Sequence, residues 1–220
     1  VLMFGWEFPP HISGGLGTAC YGLIQGMNVH QQEVIFVVPK LWGDEEPVAD
    51  FVNASGVTID YREKRFKKLW KNLTYLEVNS FLVPYLGPKA FKKFTDYAIH
   101  DRTDVDESIF STKYQFSGKY GKNLMEEVSR YALVGAQIAR DRGDFDIIHA
   151  HDWLAYPAGI AAKEISGKPL VVHVHATEYD RSGESVNFPV FEIERAGMHA
   201  ADHVVAVSQL TKNICVRKYG

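Results

Sequence analysis

From residue 123 to residue 219 the chain alternates between amphipathic helix patterns and short apolar runs, and few folds accept that rhythm. "NLMEEVSRYALVGAQIAR" (123–140), "WLAYPAGIAAKEI" (153–165), "FPVFEIERAGMHAA" (188–201) and "QLTKNICVRKY" (209–219) read as helices. Between them "DFDIIHAH" (144–151), "PLVVHVHA" (169–176) and "HVVAVS" (203–208) read as strands. Strands apolar on both faces need cover on both faces, which parallel strands joined by helices provide. The same rhythm opens the chain. Val1–Trp6 reads as a buried strand, and residues 17–29 as a helix with Leu16, Cys20, Leu23, Ile24 and Met27 at three- and four-residue spacing. "EVIFVVP" (33–39) then reads as a strand closed by Pro39. The expected class is α/β, a Rossmann-like doubly wound parallel sheet with helices on both faces. "VTIDY" (57–61) and "LTYLEVNSFLVPYL" (73–86) read as further strands, the second as a hairpin. "REKRFKKLWKN" (62–72) reads as a solvated basic turn, and residues 87–119 as an irregular insertion.

The bulk numbers narrow the function classes. The chain has 220 residues, 46% of them apolar, which suits a globular domain. A formal net charge of −3 gives no global field for nucleic acid, so no nucleic-acid partner is expected. No apolar run reaches the roughly 20 residues of a membrane span, and no signal peptide is expected. A cytoplasmic location is therefore expected. Cys20 and Cys215 lie too far apart for a metal pair and read as reduced core thiols. The chain opens on Val1 rather than Met and reads as an excised piece of a longer protein.

In doubly wound sheets, ligands bind beyond the carboxyl ends of the strands. After the first strand come Glu7 and a loop with Gly14, Gly15 and Gly17; after the 144–151 strand, His151-Asp152-Trp153; after the 169–176 strand, His175 through Thr177, Glu178, Asp180 and Arg181; after the last, Ser208. Polar groups thus gather at one edge. The glycine loop fails as a dinucleotide fingerprint: its third position is Cys20, it is too long for the tight turn, and no acidic residue follows the next strand at Pro39-Lys40. No phosphate-loop lysine motif and no Gly-x-Ser-x-Gly elbow occur. Bare N–H groups at a helix start suit a diphosphate; the same glycines also suit close helix–strand packing, and both readings stand. His149 with His151, and His173 with His175, pair on strand faces. Zinc would want a third ligand, so no metal is expected. His151 and His175 are the site candidates, as neutral imidazoles bonding a sugar hydroxyl or carbonyl. Glu178 and Asp180 either cap a loop and pair with Arg181 or serve the site.

Together, Glu7-x-x-Pro10 with Gly14-Gly15-Leu16, "DIIHAHDW" (146–153), "VHVHATEYDRSG" (172–183) and "EIERAGMHAADHVVAVS" (192–208) resemble the N-terminal domain of retaining GT-B glycosyltransferases. The likeness is nearest to glycogen and starch synthases and the sister family that includes sucrose synthase. It implies two Rossmann-like lobes facing a cleft, with residues 1–220 forming the acceptor-side lobe and the nucleotide-sugar lobe lying outside this chain. It implies a diphosphate of the donor at Gly14, Gly15 and Leu16, and catalytic His175 against the transferring sugar. The acceptor or its sugar would meet Glu7, His151, Asp152, Trp153, Glu178 and Arg181. Ser208 would lie near the crossing to the second lobe. The implied reaction moves glucose from ADP- or UDP-glucose to an α-glucan, with no metal or other cofactor, and the isolated lobe is expected to be inactive. The implied partners are the nucleotide sugar, the carbohydrate acceptor and the chain's own second lobe. Two departures matter. Ile12 stands where glycogen synthases carry a lysine, which favours the broader sister family; Gln31-Gln32 replaces the usual Gly-His turn. A lipid, phosphosugar or surface-polysaccharide acceptor is the first alternative, and a non-catalytic sugar- or nucleotide-binding module the second.

Overall fold

The computed structural model describes residues 1–60, 111–121 and 123–220. Its strands are Leu2–Phe4 (β1), Ile35–Val38 (β2), Asp50–Asn53 (β3), Thr58–Asp60 (β4), Ser111–Lys113 (β5), Ile148–His151 (β6), Leu170–Val174 (β7) and His203–Ala206 (β8). Its helices are Gly15–Val29 (α1), Leu124–Arg142 (α2), Asp152–Ser166 (α3), Glu178–Ser182 (α4), Phe188–Ala200 (α5) and Gln209–Ile214 (α6), the last running into a π-helical turn over Cys215–Tyr219. Six strands form one parallel sheet in the order β3-β2-β1-β6-β7-β8. The chain starts in the middle, winds out to β3, and crosses through α2 to the other half. The reversal between β1 and β6 opens a crevice at their carboxyl ends. The expected doubly wound α/β sheet is therefore present.

Side-chain alternation along the strands sorts the core into two clusters. Leu2, Phe4, Ile35, Val37, Ile148, Ala150, Leu170 and Val172 face Tyr131 of α2 and Ala155 and Tyr156 of α3. Met3, Phe36 and Val38 face the other way, against Cys20 and Ile24 of α1. In the β6–β7 register His149 lies beside Val171 and His151 beside His173, so His149, His151 and His173 share the face opposite Ile148, Ala150 and Leu170. Both cysteines are free and buried, as expected. No helix among the described residues is long and apolar enough to cross a membrane.

The Tyr131 hydroxyl ties α2 to the sheet, lying 2.7 Å from the Val37 carbonyl and 3.0 Å from that of Gly5. The ring is fully buried. Tyr131→Phe keeps the packing and removes only the hydroxyl. It is expected to lower unfolding free energy by about 1 kcal/mol, read as a shift in urea midpoint with unchanged slope.

Some elements differ from the sequence reading. β3 was not expected, and α1 begins two residues earlier than residue 17. The segment read as an irregular insertion contains β5, which pairs antiparallel with β4. The basic stretch 62–72, the expected hairpin 73–86 and residues 87–110 lie outside the described residues.

Candidate active site

The glycine loop is organised by one carboxylate. Glu7, 5% exposed, accepts the Ser13 N–H at Oε2 (2.8 Å) and those of Gly14 (3.2 Å) and Gly17 (3.3 Å) at Oε1. Gly14 is the N-cap of α1 and has no side chain to cap it, so Glu7 supplies the cap from six residues upstream of the loop. The family resemblance gives Glu7 to the acceptor sugar; in the structure its oxygens accept N–H groups of the loop. Gly14 correspondingly spends its N–H on Glu7. The N–H groups of Gly15 and Leu16, in the first turn of α1, have no intrahelical acceptor.

The glycines differ in the room around them. A Cβ on Gly17 would sit 2.5 Å from Ile12 Cγ2 and 3.2 Å from the Glu7 backbone oxygen, so Gly17 serves close packing. A Cβ on Gly15 would meet nothing within 4 Å, and one on Gly14 only Glu7 Oε1 at 3.9 Å. These two face open space.

Two strands away, His175 is clamped from both sides. Its backbone N–H donates to Asp152 Oδ1 (2.7 Å), and its Nε2 lies 2.9 Å from Nδ1 of His151. His151 is fully buried and Asp152 nearly so. His151 lies behind His175, closed off from solvent. Asp152 takes φ +59°, in the left-handed region unusual for a non-glycine residue. That turn aims its carboxylate back at the 175–176 backbone. Burial pushes the Asp152 carboxyl up to about 7, against the opposing pull of the His175 and Ala176 N–H groups and the Arg181 charge. Burial, then the neighbouring His173, pushes His175 down to about 4. His149 is held down at about 3, and His151 and His173 are also lowered, each chiefly by burial. Burial thus favours the neutral form of all four rings. Trp153 is half-buried against the main core.

The glycine loop and His175 stand on one edge of the sheet, because β1, β6 and β7 are adjacent and parallel. Two strand spacings, about 10 Å, separate β1 from β7. The buried Cys20 thiol of α1 responds to both carboxylates: burial first, then Asp152 and Glu7, raise its pKa well above the usual thiol range.

The loop after β7 folds into α4, which the sequence reading left as loop. Thr177 and Asp180 form a reciprocal capping box at its start. Arg181, a site candidate, pairs with Glu178 (3.1 Å) and with Glu194 of α5, and donates to the Ala176 carbonyl (3.1 Å). Glu178, the other candidate here, accepts the Asn187 N–H (3.1 Å) with its remaining oxygen. Glu194, which the sequence reading did not single out, also accepts the Tyr219 hydroxyl and the Glu178 N–H (2.9 Å). Glu178 and Arg181 therefore pair with each other, as the pairing alternative had it. Ser208 caps α6 by accepting the Thr211 N–H (3.0 Å). Arg181→Ala leaves the Glu194 carboxylate, 2% exposed, without its cation. Because Arg181 is itself about one-third exposed, the full cost of breaking a buried pair is screened. A loss of about 2 kcal/mol in denaturant unfolding is expected.

Comparison with known proteins places these residues in a wider setting. The profile described as "Starch synthase catalytic domain" matches residues 1–220. An uncharacterized glycosyltransferase of Methanocaldococcus jannaschii is 23% identical over 221 residues, covering 98% of this chain and 42% of that protein. D-inositol 3-phosphate glycosyltransferase 1 of Catenulispora acidiphila is 32% identical over 91 residues, covering 39% of this chain and 22% of that protein. The chain thus spans less than half the length of either curated relative.

Proposed function

The chain belongs to the family of starch synthase catalytic domains, and from that premise we propose that it is the acceptor-side lobe of a retaining glycosyltransferase, moving glucose from ADP- or UDP-glucose to an α-glucan. The observation that carries this reading is the shared rim: the first N–H groups of α1, at Gly15 and Leu16, stand on the same sheet edge as the neutral His175 ring. Negative charge grows on the departing diphosphate as the sugar bond breaks. Helix-start amides that need no reorganisation stabilise it, together with cations from a second lobe. The neutral imidazole contributes a hydrogen bond to the hexose without placing a positive charge beside an oxocarbenium-like centre. Glu7 and Asp152 hold these two elements in place by bonding backbone rather than substrate. Closure against the second lobe excludes water, which otherwise competes as acceptor. The donor is a substrate, and transfer needs no cofactor.

A glycine pair tests the rim directly. Gly15→Ala meets no atom and is expected to leave the unfolding midpoint within about 0.5 kcal/mol of the parent. It crowds the diphosphate, and kcat/KM for the nucleotide sugar is expected to fall at least about ten-fold. Gly17→Ala is expected to destabilise by about 1–3 kcal/mol through overpacking against Ile12 and Glu7. Unchanged kinetics in the Gly15 variant would remove the diphosphate from this loop.

A phosphosugar acceptor is the second reading. Ile12 in place of the glycogen-synthase lysine and the inositol-phosphate transferase among the relatives favour it. Incubating the full-length protein with radiolabelled ADP- or UDP-glucose and each acceptor class separates the two by which product carries label.

A further inference from the structure

One step deeper in the sheet than His175, the β6–β7 surface holds a group of imidazoles that the proposed transfer does not use. Among the described residues, His149 Nε2, His151 Nε2 and His173 Nδ1 are buried nitrogens without a hydrogen-bond partner. His149 is 8% exposed and His151 not at all. Ligand nitrogens of the three residues lie within 4.8 Å of one another. A neutral imidazole carries one N–H and one lone pair. Each of the three buried nitrogens is left without a partner in either tautomer of its ring: as an N–H it lacks an acceptor, as a lone pair it lacks a donor. Each unsatisfied atom costs about 1–3 kcal/mol. One cation that accepts three lone pairs relieves all three.

We propose that His149, His151 and His173 form a binding site for a divalent transition-metal ion of the zinc class, held by three imidazole nitrogens with a fourth position open. The donor set selects the ion. Imidazole suits zinc, cobalt and nickel, whereas magnesium and calcium want oxygen ligands. Zinc–nitrogen bonds of about 2.0–2.1 Å set tetrahedral ligands roughly 3.4 Å apart, so the rings close in on the ion by small side-chain rotations. The register of β6 and β7, with His151 beside His173, fixes two of the ligands on neighbouring strands, and His149 follows on the same face of β6.

The ion takes no part in glycosyl transfer; it is a positioning element. Ligation through His151 Nε2 places that ring's proton on Nδ1, where it donates to His175 Nε2 2.9 Å away. A ligating histidine commonly donates its second N–H to a fixed acceptor. Here that acceptor is the His175 ring, and the ion sets its tautomer and orientation from behind.

The test is metal uptake by the full-length protein, read independently of activity. Chelator-stripped protein is titrated with Co²⁺, followed by competition with Zn²⁺ and with Mg²⁺. One equivalent of Co²⁺ with intense visible bands of four-coordination, displaced by Zn²⁺ and not by Mg²⁺, is expected. His149→Gln and His173→Gln are each expected to weaken Co²⁺ binding at least about ten-fold, while His30→Gln on the surface leaves it unchanged. Should either ligand variant fail to fold, X-ray absorption of the zinc-loaded parent decides, with a three-imidazole nitrogen shell expected. Absence of stoichiometric uptake, a shell without imidazole, or binding unchanged in both folded ligand variants would overturn the proposal.

Discussion

His175→Ala in the full-length protein is expected to lower kcat by about 10²-fold or more, with a much smaller change in KM. The argument rests on how the ring is held. The backbone of His175 is fixed through its own N–H to Asp152, a bond that alanine keeps. Only the ring is lost, and with it the 2.9 Å contact to His151 Nδ1. Leaving that buried nitrogen unsatisfied costs about 1–3 kcal/mol of stability, too little to unfold an ordinary domain. Activity and stability therefore separate. Steady-state kinetics beside a thermal melt reads both quantities. His175→Asn, which retains a hydrogen-bonding group, is expected to fall between the parent and the alanine variant. Parental kcat in the alanine variant would take the ring out of the reaction and leave the rim with only its helix-start amides.

The rim was legible because its elements carry strong local signals. β2 is a continuous apolar run, β6 and β7 are short apolar segments broken only by histidines, and doubly wound topology then sends the residues after each strand to one edge. β3 was not legible: Asp50–Asn53 is a four-residue edge strand following Pro47, half-buried at most, without alternation or an apolar run. α4 has five residues and no apolar period, although Thr177-x-x-Asp180 is a capping signal that marks its start. Partners at long range were hidden in a different way. Arg181 finds Glu178 three residues back, as helical spacing allows, but its deeply buried partner Glu194 sits 13 residues on, in a helix face that reads as surface. Buried charge networks are set by tertiary packing, and spacing along one chain does not encode them.

Glu7 illustrates the same limit, and its replacement is expected to show the largest stability effect at the site. Glu7→Ala removes the acceptor of three N–H groups at once, from Ser13, Gly14 and Gly17. Hydrogen bonds to a charged group each contribute about 1.5–3 kcal/mol, and bonds sharing one carboxylate do not add. A net loss of about 3 kcal/mol in unfolding free energy, read from the urea midpoint, is expected. With the cap gone, the first turn of α1 frays and the Gly15 and Leu16 amides leave the rim. Misplacement on the scale of 1 Å is enough to cost about 10²-fold in transfer. Glu7→Gln separates cap from charge. Its amide oxygen still accepts from Gly14 and Gly17, but its NH₂ group meets the Ser13 N–H, donor against donor, so an intermediate loss is expected. Were Glu7 instead a sugar contact, as the family resemblance implied, Glu7→Ala would melt with the parent and raise only the KM for acceptor. That pattern would return the carboxylate to the substrate and leave α1 needing another cap.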